Sequence, residues 1–179
     1  MTNHNLVLYP KNPAWGPSSL APLADVLKAI GLLGVERSHG LYGTGPEYLG
    51  LITYLGCSPQ VALGENEAAT TIRINGIFDA PQFVHGANLK SPRCPQCRKT
   101  LAMPAASLRA NRNLHCDHCG HEGNACGFDW RRSAGCARVF IEISNVFESE
   151  AVPGEQLIAC LDAASDESWD YCYVRKAPG

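Results

Sequence analysis

The chain carries Cys94-Pro95-Gln96-Cys97 and, after a gap of eighteen residues, Cys116-Asp117-His118-Cys119. Two CxxC pairs at this separation have the ligand spacing of a tetrahedral metal site. Each pair must turn sharply to aim two sulfurs at one point, and Pro95 and Gly120 suit such turns. Four thiolates leave no open coordination position. The expected ion is therefore one structural Zn2+ held by Cys94, Cys97, Cys116 and Cys119. Iron in a four-cysteine site is the alternative, because geometry alone does not separate the two metals. Disulfides are the competing use of these cysteines, and they favour a secreted setting. Met1-Thr2-Asn3-His4-Asn5 lacks a basic start, and no apolar h-region follows it. No apolar run approaches the length of a membrane span. The expected setting is reducing and cytoplasmic, with no membrane contact.

The segment from Ser91 to Gly120 resembles a zinc ribbon, in which two tight knuckles each give two thiolates and a β-hairpin closes the unit. The resemblance implies a metal and leaves the function open. Charge adds to it. From Asn88 to Arg138 nine basic residues face three acidic ones, a formal +6, which leaves −8 for the rest of a chain whose net charge is −2. An acidic body carrying a basic metal module is the pattern. Four thiolates with one Zn2+ sum to −2 and account for part of the basic excess. The remainder is available for a partner.

Working outward, Asn5 to Tyr9 reads as a strand closed by Pro10. Leu20, Leu23, Val26, Leu27 and Ile30 fall at helical spacing, started near Ser18 or Ser19 and ended by Gly31 and Gly34. Glu36 to Pro46 reads as a glycine-rich turn; it fails both the phosphate-loop and dinucleotide patterns. Tyr48 to Leu55 reads as a buried strand, Thr70 to Ile77 as an alternating one, and Asp79 to Asn88 as a loop. After the metal module, Gly135 to Phe147 alternates again, with Val139, Ile141 and Ile143 on one face. Pro153 opens a second helix through Leu157, Ile158, Leu161 and Ala164, and Trp169 to Val174 is the last strand. The expected fold is α+β. A sheet of about five strands carries two helices on one face, loosely ferredoxin-like, with the body formed by residues 1–87 and 139–179 and the module 88–138 inserted between them. The ends of that insertion should lie close together. Pro22 to Leu27 and the stretch Leu55-Gly56-Cys57-Ser58-Pro59 resemble those of small uncharacterised bacterial proteins, a likeness that implies one integrated body and no assigned activity.

Other residues suggest chemistry more faintly. Cys57 sits in a turn, with His39 and His85 elsewhere in the chain as conceivable bases; a small buried thiol is the plainer reading. Cys126 and Cys136, near His115, His118 and His121, suggest a second metal site or competition for the first, though their spacing fits no recurring ligand pattern. His121 and Glu122 suit hydrogen bonds around the sulfurs. Three roles follow. A basic ribbon can dock an acidic protein partner or the acidic body of a second copy. It can bind nucleic acid through Arg93, Arg98, Lys99, Arg109 and Arg112, although Lys90 to His115 lacks aromatic residues for base stacking. An enzyme using Cys57, or a cleft between ribbon and body, is the third. The expected role is binding without catalysis, with a protein partner ahead of nucleic acid.

Overall fold

The computed structural model describes residues 3–56, 61, 63–64, 69–102 and 108–176. The chain begins with β1 (Asn3–Pro10), α1 (Ala21–Ala29), β2 (Leu33–Ser38), β3 (Leu41–Thr44), α2 (Tyr48–Leu51), β4 (Ile52–Tyr54), β5 (Thr71–Gly76) and β6 (Gln82–His85). The metal segment contributes β7 (Asn113–His115), β8 (Glu122–Asn124) and a 3-10 turn at Ala125–Gly127. Then come β9 (Ala134–Ala137), β10 (Val139–Ser144), β11 (Ala151–Pro153), α3 (Glu155–Ser165) and β12 (Trp169–Lys176).

The main sheet has six strands in the order β12-β1-β10-β5-β3-β2, one more than the sequence suggests. Every neighbouring pair in it is antiparallel. The extra strands come from Glu36 to Pro46, which forms most of the β2–β3 hairpin instead of a turn. Its outer strand lies at the sheet edge, with Val35, Glu36 and Arg37 exposed, so it carries no apolar alternation to announce it. Tyr48 to Leu55 also departs from expectation. Tyr48 and Leu51 are buried while Leu49 is 55% exposed, the phase of a helical turn, and only Ile52–Tyr54 is strand. The helices therefore number three among the described residues, not two. Gly135 to Phe147 is not one strand either. It changes partners at Arg138, β9 pairing with β6 and β10 with β1 and β5.

One face of the sheet meets all three helices. Leu6, Leu8, Ile72, Ile74, Val139, Ile141 and Ile143 pack there against Leu23 and Leu27 of α1, Tyr48 and Leu51 of α2, and Leu157 and Leu161 of α3. The opposite face is covered at its centre. Val7, Phe140, Cys172 and Val174 form a second cluster with Ala137 of β9 and Val84 of β6. The β6–β9 ladder is thus a lid over the sheet and also the place where the chain leaves for the metal segment and returns, since His85 pairs with Ala134. The β12 edge is closed as well. Ala87 N–H donates to Arg175 O, Tyr173 N–H donates to Arg132 O, and Asn88 Nδ2 donates to Tyr173 O, all at 2.8–2.9 Å. Gly86 makes this possible: a Cβ there would stand 2.3 Å from Arg175 O.

Phe140 tests the lid. It is fully buried on the face away from the helices. Phe140→Ala should cost about 3–5 kcal/mol in urea unfolding. A loss as small as that of a surface substitution would show that the β6–β9 ladder does not cover this face.

Candidate metal centre

The four sulfurs of Cys94, Cys97, Cys116 and Cys119 all lie within 4.8 Å of one another. Cys94 Sγ and Cys119 Sγ are 3.6 Å apart, as are Cys97 Sγ and Cys116 Sγ. A tetrahedral ion with metal–sulfur bonds of about 2.3 Å requires edges of about 3.8 Å. The donor set therefore fits a single tetrahedral ion, and thiolate softness suits zinc. Cys94 and Cys116, the first cysteine of each pair, are fully buried, whereas Cys97 is half-buried and Cys119 exposed.

The two knuckles repeat one hydrogen-bonding scheme. Arg98 N–H donates to Cys94 O at 3.0 Å, and Gly120 N–H donates to Cys116 O at 2.8 Å. Cys94 N–H donates to Lys99 O and Cys116 N–H donates to His121 O, both at 2.9 Å. The residue closing each turn has positive φ, 61° at Arg98 and 75° at Gly120. Glycine takes this conformation freely, and an arginine takes it at a cost. Arg98 stays there with its guanidinium 3.4 Å from the Asp129 carboxylate. Arg93 frames the first knuckle through bridges to both Thr100 and Asp129, and β7–β8 frames the second.

Packing the four thiols together splits their acidities. Burial would raise Cys94, but the amide N–H groups of Cys97 and Gln96 and the neighbouring thiols outweigh it and bring its pKa down to about 7. At Cys119 the His121 N–H pulls downward, yet partial desolvation by its neighbours and hydrogen bonds to the other three cysteines push the thiol up to about 12. The last protons leave reluctantly because successive negative charges repel, and a divalent cation removes that repulsion.

The module has its own small core. Leu114, Ala125, Phe128, Trp130 and Ala134 are buried together, with Phe83 of β6 against Trp130 at 4.9 Å between ring centroids. Trp130 Nε1 donates to Ala125 O, and Ser133 Oγ donates to Trp130 O while accepting Lys90 N–H. Phe128 and Trp130 are thus packing residues, each 5% exposed.

The basic residues divide into two groups. Lys90 pairs with Glu148, Arg132 with Asp170 at 2.8 Å, Arg131 Nε donates to Ser91 O, and Arg138 Nε donates to Phe78 O. These four hold the module to the body or to itself. Arg98, Lys99, Arg109 and Arg112 are exposed, and among the described residues Lys99, Arg109 and Arg112 meet no carboxylate; Arg93 is half-buried. Cys126 and Cys136 are joined in a disulfide across 5.4 Å between Cα atoms, so neither serves as a metal ligand. Their spacing, Cys-x9-Cys, gives no hint of this. The only available signal is position, one cysteine at the exit of the module and the other on the strand that re-enters the body. Glu122 turns to His115 Nδ1 at 3.2 Å instead of to a sulfur, His121 reaches the Cys119 sulfur through its backbone N–H while its ring lies near Phe128, and His118 is exposed. Cys57, Ser58 and Pro59 lie outside the described residues, and His39 and His85 are both exposed. Among the described residues no helix is long and apolar enough to cross a membrane.

No protein-family model matches the chain, and neither a curated protein nor a solved structure does.

Cys94→Ser and Cys116→Ser should each abolish stoichiometric zinc binding, read with a chromogenic chelator. Metal retained in full by both variants would overturn the ligand set. Arg98→Gly relieves a strained backbone worth about 1–2 kcal/mol and loses a surface ion pair worth about 1 kcal/mol or less. It should therefore keep zinc and leave thermal stability unchanged or raised. A clear drop would mean that the Arg98–Asp129 contact matters more than the backbone.

Proposed function

We propose that this is a zinc-binding protein in which one structural Zn2+ holds a basic zinc ribbon, and that the ribbon docks an acidic protein partner without catalysing a reaction. The observation that carries the reading is the sorting of the cations. Lys90, Arg131, Arg132 and Arg138 are used internally, whereas Lys99, Arg109 and Arg112 stand exposed and unpaired among the described residues. A metal-held loop cluster presents such charges with little entropy to lose on binding. The repeated knuckle scheme and the β7–β8 hairpin support the ribbon assignment. The order β12-β1-β10-β5, with α1 and α3 on one face, supports a ferredoxin-like arrangement extended by β3 and β2.

The same cations suit phosphates, and nucleic acid is the second reading. Against it stands the burial of Phe128 and Trp130, which leaves no aromatic platform from the module for base stacking. An acidic polypeptide needs only charge and a firm surface. The acidic body of another copy is one such surface, and salt would weaken that association.

Zinc-loaded protein would be measured against poly-glutamate, labelled duplex and labelled single strands at low and near-physiological salt, beside Lys99→Ala/Arg109→Ala/Arg112→Ala. The expected result is salt-sensitive binding to the acidic polypeptide that the triple variant loses. Binding to nucleic acid alone, persisting at the higher salt, would reverse the order of the two readings.

A further inference from the structure

The Cys126–Cys136 disulfide stands between two openings in the surface. On one side a cleft of about 410 Å3 runs between the first knuckle and the body, bounded by Tyr9, Lys11, Pro95 and Arg98, with both cysteines in its wall. On the other side a cavity of about 650 Å3, lined in part by Pro13, Phe83 and Arg109, reaches Cys126 again. Cys126 is half-buried and Cys136 is 8% exposed. A disulfide that merely braces a loop needs no such access. The bond also closes the loop that carries Asp129, Trp130, Arg131 and Arg132, of which Arg131 is tied to Ser91 within the module and Arg132 to Asp170 of the body.

We propose that Cys126–Cys136 is a thiol–disulfide exchange site for a low-molecular-weight thiol that enters the cleft. Clefts of this volume take small molecules. The sulfurs lie in a wall and not on a projection, so a protein thiol would have to displace the module to reach them. Cations line the approach, an environment that favours thiolates. Arg98 and Arg132 there are paired with Asp129 and Asp170, whereas Lys11 has no carboxylate partner among the described residues. The incoming thiolate attacks Cys126 Sγ, the more accessible sulfur. The Cys126–Cys136 bond breaks, a mixed disulfide forms on Cys126, and Cys136 leaves as a thiolate that takes a proton. A second small thiolate then attacks the small-molecule sulfur of that mixed disulfide and releases Cys126. Two thiols are oxidised to one small disulfide, and their two protons end on Cys126 and Cys136. The assignment is independent of what the basic face docks.

Zinc-loaded full-length protein would be equilibrated in glutathione buffers of graded ratio, acid-quenched, alkylated and mapped by peptide mass spectrometry, with circular dichroism alongside. The reduced fraction of the Cys126/Cys136 pair should follow the buffer while the fold and the four zinc-bound cysteines are unchanged. Cys136→Ser should accumulate a glutathione adduct on Cys126, and Cys126→Ser should take none on Cys136. A native pair that excess glutathione leaves oxidised, or reduces only with unfolding, would overturn the proposal. So would reduction by a protein dithiol but not by glutathione. The wild-type titration decides the matter even where a variant fails to fold.

Discussion

Four cysteine sulfurs within 4.8 Å of one another set the terms for everything from Asn88 to Arg138. Ionising them all without a cation stacks like charges in a small volume, so the Cys119 thiol is pushed up even as backbone N–H groups of Cys97 and Gln96 pull the Cys94 thiol down. A tetrahedral ion at this cluster would relieve that conflict. Structural zinc binding supplies on the order of 10–16 kcal/mol in isolated peptides. The core around Leu114, Phe128 and Trp130 is too small to replace it. The two knuckles share matching hydrogen bonds, and the first of them keeps Arg98 at positive φ.

The module is nevertheless not a pendant. Its base, the β6–β9 ladder, covers Phe140, Val7 and Cys172 on the main sheet, and Ala87, Asn88 and Arg132 close the β12 edge that would otherwise offer free backbone groups. The body therefore gains a second covered face, and the module gains a rigid platform. Four of the nine basic residues that looked like a binding surface work at this seam or inside the module. What remains exposed without a carboxylate among the described residues is a smaller set, Lys99, Arg109 and Arg112.

Two kinds of cysteine chemistry then sit on either side of Asp129. The knuckle thiols converge on one point, where a single ion would fit. Cys126 and Cys136 face each other across the loop that returns the chain to the body. Asp129 touches both neighbourhoods: its backbone pairs with Arg93 and its carboxylate meets Arg98 at the first knuckle, and the same carboxylate accepts Arg131 N–H inside the disulfide loop. The cleft between first knuckle and body opens at this junction.

Local chemistry made part of this legible from the residues alone. The four-cysteine cluster was readable because a CxxC pair must turn on itself, and because thiols at that spacing have few other uses. The helices at Ala21–Ala29 and Glu155–Ser165 and the strands at Asn3–Pro10 and Val139–Ser144 were readable because their apolar periods are buried on one side. Tertiary structure decided the rest. The β2–β3 hairpin escaped notice because an exposed edge strand has no inward period. Tyr48 to Leu51 became helix because a short apolar run fits either phase until neighbours choose. Arg138 divides what looks like one strand because its two halves join different sheets. The fate of Cys126 and Cys136, and the separation of seam cations from free ones, depended on which distant residues were brought alongside, information that spacing along the chain does not contain.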